Sequence, residues 1–173
     1  MLGLRETIKL VHRLLDDAKI SHALIGGLAL ASYGSPRATD DMDLIVLEED
    51  RDGVSEILKK NGFSLFQESV EVLQFSGLGN VDVLMARRPI SRKLLAEADK
   101  LGPEGIPVIG PEGLIGLKIQ AYINDPVREL QDKADIQFLI QNVESLNWSR
   151  IWEYADLFNQ RSALDEIKKK ARL

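Results

Sequence analysis

The sequence predicts an α/β (α+β) protein, with a small mixed β-sheet flanked by helices and a helical region after it. Three observations carry the prediction. Short apolar runs bounded by glycine or asparagine alternate with stretches of helical period as far as Lys100. Three of those runs, Phe63 to Gln67, Val70 to Ser76 and Val81 to Ala86, follow one another at hairpin spacing, which requires antiparallel pairing. From Pro111 onward the chain shows helical periods alone. The expected organisation is a core over residues 1–100 and a mostly helical region over residues 101–173 packed on it, with Leu101 to Pro107 as the linker.

In chain order, Leu4, Ile8, Val11, Leu14 and Leu15 recur at helical spacing, so the first helix ends near Asp17. His22 to Ile25 reads as a buried strand bounded by Gly26-Gly27. A short helix follows from Leu28 to Tyr33, stopped by Gly34-Ser35-Pro36. Asp41 to Leu47 is the next strand. Glu49 to Asn61 is a helix with Val54, Ile57 and Leu58 inward, closed by Asn61-Gly62. After the three antiparallel strands come a helix over Ile90 to Lys100 and a brief extended piece at Pro107 to Ile109. Pro111, at a favoured first-turn position, then opens a helix over Glu112 to Ile123. Val127 to Asn142, Trp148 to Asn159 and Ala163 to Ala171 complete the helices, with Trp148, Trp152, Tyr154 and Phe158 read as core.

Composition narrows the options. The 173 residues are 45% hydrophobic and 28% charged, values ordinary for a globular chain with its own core. There is no cysteine, which excludes disulfides and thiolate metal sites. His12 and His22 are read as surface or strand-edge residues rather than zinc ligands. No apolar run approaches the roughly 20 residues that span a bilayer, so no membrane partner and a cytoplasmic location are expected. A net charge of −5 argues against broad nonspecific binding to nucleic acid. Cations gather locally at Arg87, Arg88, Arg92 and Lys93, and again from Lys168 to Arg172, where a helix end accounts for them.

The chemistry begins at Asp41-Met42-Asp43. Side chains two apart on a strand share a face, so these carboxylates stand side by side. Like charges held together are relieved by a cation between them, and magnesium takes oxygen ligands of this kind. The other reading is a loop leading into a strand with a solvent-facing Asp43. Gly26-Gly27 joins a strand to a helix, where backbone N–H groups favour an anion and glycine admits phosphate oxygens. Asp82 is an acidic residue near the start of an otherwise apolar strand, a position that calls for a partner or a metal.

These residues carry a resemblance. Gly26-Gly27, Gly34, Arg37, Thr39, Asp41-Met42-Asp43-Leu44 and Val81-Asp82-Val83 resemble the nucleotidyltransferase superfamily, whose fold is that of DNA polymerase beta. The form Gly-Gly-x-Ala with Arg-x-Thr-x-Asp-x-Asp is most similar to the small abortive-infection toxin-type members. The resemblance covers Ala23 to Ala86. Glycine stands at Gly27 where many members carry serine, which removes a side-chain contact to phosphate.

The resemblance implies catalytic and metal-holding roles for Asp41, Asp43 and Asp82, the last as metal ligand or general base. It implies that Gly26 and Gly27 meet the β and γ phosphates through their backbone. Arg37, in the loop before the metal strand, is placed to meet a phosphate or a substrate carboxylate, or to pair with Asp40. Beyond the core, Lys118, Arg128, Lys133 and Asp135 resemble the basic and acidic residues after the catalytic core of the toxin-like branch, although Asp132 here precedes Lys133. Lys118 and Lys133 would contact triphosphate oxygens, with Asp135 orienting one of them. Surface pairing such as Arg128 with Asp132 is the other reading.

The implied function is magnesium-dependent transfer of a nucleoside monophosphate from a nucleoside triphosphate to a hydroxyl acceptor, with pyrophosphate released and two ions at the site. The acceptor is left as a small molecule, a protein side chain or an RNA end, and a homodimer is left open. The alternative is a non-catalytic nucleotide-binding module of regulatory or toxin–antitoxin type. Everything depends on Asp82 folding back beside Asp41 and Asp43.

Overall fold

The computed structural model describes residues 1–36 and 38–172. The chain divides into two compact units: Met1–Ser32 with Pro36–Ile109, and Tyr33–Ser35 with Gly110–Leu173.

The first unit is built on a seven-stranded mixed sheet in the order β3-β4-β5-β2-β1-β7-β6. Its strands are β1 (His22–Leu24), β2 (Asp41–Leu47), β3 (Phe63–Glu68), β4 (Val72–Gly77), β5 (Asn80–Ala86), β6 (Lys100–Leu101) and β7 (Pro107–Val108). The β3-β4-β5 succession is antiparallel, as the hairpin spacing requires, while β5 lies parallel to β2 and β7 parallel to β1. The helices are α1 (Leu4–Asp17), α2 (Gly26–Ala31), α3 (Arg51–Lys60) and α4 (Pro89–Ala96). Alternation along the central strands sorts the core. Met42, Leu44, Val46, Val81, Val83 and Met85 share one face and are buried, with Ile8, Val11 and Leu15 of α1 and Val54 and Leu58 of α3 also inside.

Several expectations change. The first-turn glycines belong to α2, which starts at Gly26 rather than Leu28, because Gly26 takes a left-handed φ of 63° that turns the chain directly out of β1. The segment expected as a linker instead carries β6, which pairs antiparallel with β7 and ends α4 before Lys100. Two-residue strands are too short to show a period. His22 is not a surface or edge residue: β1 lies between β2 and β7, and His22 is buried. It is satisfied locally, its Nδ1 donating to Ile20 O at 2.7 Å and its Nε2 lying 2.8 Å from His12 Nδ1. A carbonyl only accepts, so Nδ1 of His22 carries the proton and His12 donates to Nε2. The basic group at Arg87, Arg88, Arg92 and Lys93 is matched by Glu48, Glu71, Glu49 and Glu97 respectively.

The second unit contains α5 (Pro111–Asn124), α6 (Glu129–Asn142), α7 (Trp148–Leu157) and α8 (Arg161–Ala171). α5 packs on α6 and α7, and α8 on the same two helices. Its core includes Leu114, Ile119, Ile136, Leu139, Ile151 and Leu164. Gly116 lets α5 close on α7, since a Cβ there would lie 2.6 Å from the Tyr154 ring. Tyr154 is buried, as its spacing suggests, but Trp148 and Trp152 are half-exposed. Lys168 lies over both indoles and Arg161 over Trp152, so these two aromatic residues form a cation-covered face rather than core.

No helix among the described residues is long and apolar enough to cross a membrane.

Candidate active site

The site is built by the pairing of β2 with β5. Asp41 stands opposite Asn80, Asp43 opposite Asp82, and the register holds without slip to Leu47 opposite Ala86. The apolar residues at alternate positions fix that register, because a one-residue slip would bury the carboxylates and expose Val81 and Val83. Asp41, Asp43, Asn80 and Asp82 therefore share the face opposite the buried residues. Asp82 does fold back beside the Asp41-x-Asp43 pair, its strand about 4.8 Å away.

Neutral amides hold two of the three carboxylates. Gln74 Nε2 donates to Asp82 Oδ2 at 2.8 Å, and Asn80 Nδ2 donates to Asp41 Oδ1 at 3.1 Å. With Ser76 and Phe66 these residues line an open cavity of about 320 Å³. Phe66, Ser76, Gln74 and Asn80 are not among the site residues expected from the sequence. A signal existed for two of them: Gln74 is polar within an apolar strand, and Asn80 precedes Asp82 by the two residues that put both on one face.

The two glycines explain their own presence. A Cβ on Gly26 would lie 2.6 Å from Asp43 Cγ, so the carboxylate occupies the space a side chain would need. Ile25 N–H donates to Asp43 O at 3.0 Å, tying the start of α2 to β2. A Cβ on Gly27 would lie 2.9 Å from Thr39 Cβ, so serine at this position would collide with Thr39. The first-turn N–H groups of α2, which have no partner within the helix, thus open close beside Asp43.

By chemistry the donor set suits a hard divalent cation: carboxylate oxygens on one sheet face, with Asp43 and Asp82 in register and Asp41 two residues along. The bare-glycine cradle at Gly26 keeps the Asp43 carboxylate at the surface of the sheet. Among the described residues no three histidine, aspartate or glutamate side chains converge as a finished metal cage, and Asp41 and Asp82 accept from amides instead.

Arg37 lies outside the described residues. Lys118, on α5 of the second unit, is buried, its Nζ 2.8 Å from Asp132 Oδ1 and 2.7 Å from Asp135 Oδ2. Arg128 approaches Asp132 at 3.3 Å, and Gln131 donates to Asp135 at 3.0 Å. Lys133 pairs with Glu129 one turn away and lies over the Tyr122 ring. Burial, with Glu129 as the lesser cause, pushes the Tyr122 hydroxyl up to about 12.

No family model matches the sequence, and no curated protein matches it. Solved structures do match its fold. The solution structure of the antibiotic-resistance factor ANT(2'')-Ia is similar with a TM-score of 0.69 and 18% identity, covering 94% of each chain. The crystal structure of ANT(2'')-Ia in complex with adenylyl-2''-tobramycin is similar with a TM-score of 0.67 and 16% identity, covering 91% of this chain and 98% of that one. The lincosamide antibiotic adenylyltransferase LnuA, bound to lincomycin, is similar with a TM-score of 0.56 and 15% identity over 80% of this chain and 98% of that one. The strand and helix order built around Asp41, Asp43 and Asp82 is therefore the nucleotidyltransferase fold.

Proposed function

We propose that the protein is a magnesium-dependent nucleotidyltransferase that moves a nucleoside monophosphate from a nucleoside triphosphate to a hydroxyl acceptor and releases pyrophosphate. The observation that carries this reading is the register of Asp43 with Asp82, with Asp41 on the same face and the first turn of α2 against Asp43. Two like charges on adjacent strands are a costly arrangement unless a cation is shared. Asp41, Asp43 and Asp82 would hold magnesium, which when bound supplies the positive charge that offsets the phosphates and the leaving pyrophosphate.

In this reading the backbone N–H groups of Gly26 and Gly27 donate to β and γ phosphate oxygens. Asp82 takes the proton from the acceptor hydroxyl. The acceptor oxygen then bonds to the α phosphorus as the bond from that phosphorus to the bridging oxygen breaks, and pyrophosphate carries the electron pair away. The resemblance also assigns Arg37, Lys118 and Lys133 to nucleotide binding; within the second unit Lys118 is paired with Asp132 and Asp135, and Lys133 with Glu129. The similarity to ANT(2'')-Ia and to LnuA supports a small-molecule acceptor over an RNA end or a protein side chain, and a cytoplasmic reaction, where nucleoside triphosphates are available, fits it.

A second reading is a non-catalytic nucleotide-binding module of regulatory or toxin–antitoxin type, favoured by the amides that already satisfy Asp41 and Asp82. One assay separates the two. The protein is incubated with magnesium, each labelled nucleoside triphosphate and a set of hydroxyl acceptors, and pyrophosphate is measured. The transferase reading expects release that needs both magnesium and acceptor. It also expects Asp43→Asn and Asp82→Asn to lower the rate by about 100-fold or more, above the loss typical of groups that merely support a metal ligand. Nucleotide binding without turnover in the wild type identifies the module.

A further inference from the structure

The two histidines, which the transfer chemistry does not use, both line a second cavity of the first unit. It holds about 570 Å³, and none of its lining residues lines the cavity of the carboxylates. The ladder of β1 on β2 separates the two cavities. His22, opposite Val46, stands at one end of it, and Ile25, whose N–H donates to Asp43 O, lies just past the other. α1 and the turn after it supply the polar lining, with His12 and Asp16 from the helix and Lys19 and Ser21 from the turn.

The histidine pair fixes what the helix side can do. His22 Nδ1 donates to Ile20 O and its Nε2 accepts from His12 Nδ1, so the proton of a neutral His12 is spent inside the pair. His12 Nε2 is left as an acceptor. Asp16, one turn further along α1, is a second acceptor on the same helix face. The turn side has the opposite character, because the Lys19 ammonium and the Ser21 hydroxyl can donate. Among the described residues the side chains of Asp16, Lys19 and Ser21 hold no hydrogen bond or ion pair. Lys19 has a left-handed φ of 58° past the end of α1, where glycine is the usual residue. Ending the helix therefore does not call for a lysine there.

We propose that this cavity binds a small zwitterion, a free amino acid with an apolar side chain, whose ammonium meets Asp16 and His12 and whose carboxylate meets Lys19 and Ser21. Acceptors on one wall and donors on the other match a ligand that carries both charges. A plain anion would face Asp16, and a plain cation would face Lys19. Ile20, Leu95 and Pro107 add apolar surface for the side chain, and the volume lies within the range of small-molecule sites. This site is separate from the one that carries the transferase reading and does not depend on it.

The test uses L-leucine, L-methionine and L-phenylalanine as probes. L-leucine methyl ester, N-acetyl-L-leucine and inorganic phosphate are the comparisons, each with one kind of charge. Binding to the full chain at neutral pH is followed by calorimetry and by the imidazole NMR signals, which come from His12 and His22 alone. At least one amino acid is expected to shift those signals. Its affinity is expected to fall about tenfold or more in Asp16→Asn and in Lys19→Gly, the loss of one charge-assisted hydrogen bond. Glycine suits the left-handed backbone, so Lys19→Gly is expected to melt no lower than wild type, which separates a lost ligand contact from a lost fold. The proposal fails if no amino acid moves the imidazole signals, or if either variant binds as tightly as wild type. It fails equally if phosphate, the ester or the acetylated leucine binds as tightly as the amino acids.

Discussion

At Gly26 a methyl group would have to occupy the space that the Asp43 carboxylate fills, on a backbone already in the left-handed region. Gly26→Ala is expected to cost about 1–3 kcal/mol in urea unfolding and to displace Asp43. Gly27 and Thr39 form a second steric pair. Gly27→Ser alone is expected to destabilise, and Gly27→Ser with Thr39→Gly to recover part of the loss, a coupling of about 0.5–3 kcal/mol. His22 gives a pH dependence. Burial is the main cause that holds its imidazole below the usual 6.5, with the Ile20 carbonyl opposing and His12 and Asp16 as lesser influences of opposite sign. As pH falls through 6.5 the unfolded chain takes up a proton that the folded chain does not, so stability falls from there until the folded value is reached. Denaturant midpoints across pH 7.5 to 5 are expected to drop in the wild type and to drop less in His22→Gln.

Among the elements, α5 and α6 share a buried ion cluster in which Lys118 faces both Asp132 and Asp135. Lys118→Met removes the buried cation that Asp132 and Asp135 share, with Arg128 still approaching Asp132, and is expected to cost about 3–5 kcal/mol. Far smaller loss in chemical unfolding would show that water or another cation replaces it. The elements also show what a sequence can reveal. Strands of six or seven residues with alternating apolar positions, such as β2 and β5, are legible because one face must be buried. β6 and β7, two residues each, carry no period and depend on tertiary pairing. The tryptophans of α7 have the spacing of a core stripe, but the cations that cover them come from α8, a relation no local pattern records. Phe66 is hidden for the same reason, since its place at the bulge between Leu65 and Gln67 is a property of two strands and not of one.

For the molecule as a whole, net charge −5 sets an expectation for nonspecific partners. Binding of random duplex DNA at 150 mM salt should be weaker than about 100 μM, the weak end of the nonspecific range, and filter binding or anisotropy measures it. The carboxylate triad was legible because Asp41, Asp43 and Asp82 sit at the ends of apolar strands. The amides that hold it carry only a weak local signal, and Gln74 and Asn80 gain their role when β4 and β2 flank β5. The pairing of those strands also sets a rule of length. β2 and β5 are locked at a constant separation of 39 residues along the chain, seen in the Asn80–Asp41 contact. Extra residues in the exposed turn at 69–71 would change that number without moving a single pair, at an entropic cost of only about 0.6 kcal/mol per doubling of the loop. One extra residue between Asp41 and Asp43 would turn one carboxylate to the buried face. Descent can therefore lengthen this chain between the two strands almost at will, while inside them it must keep count.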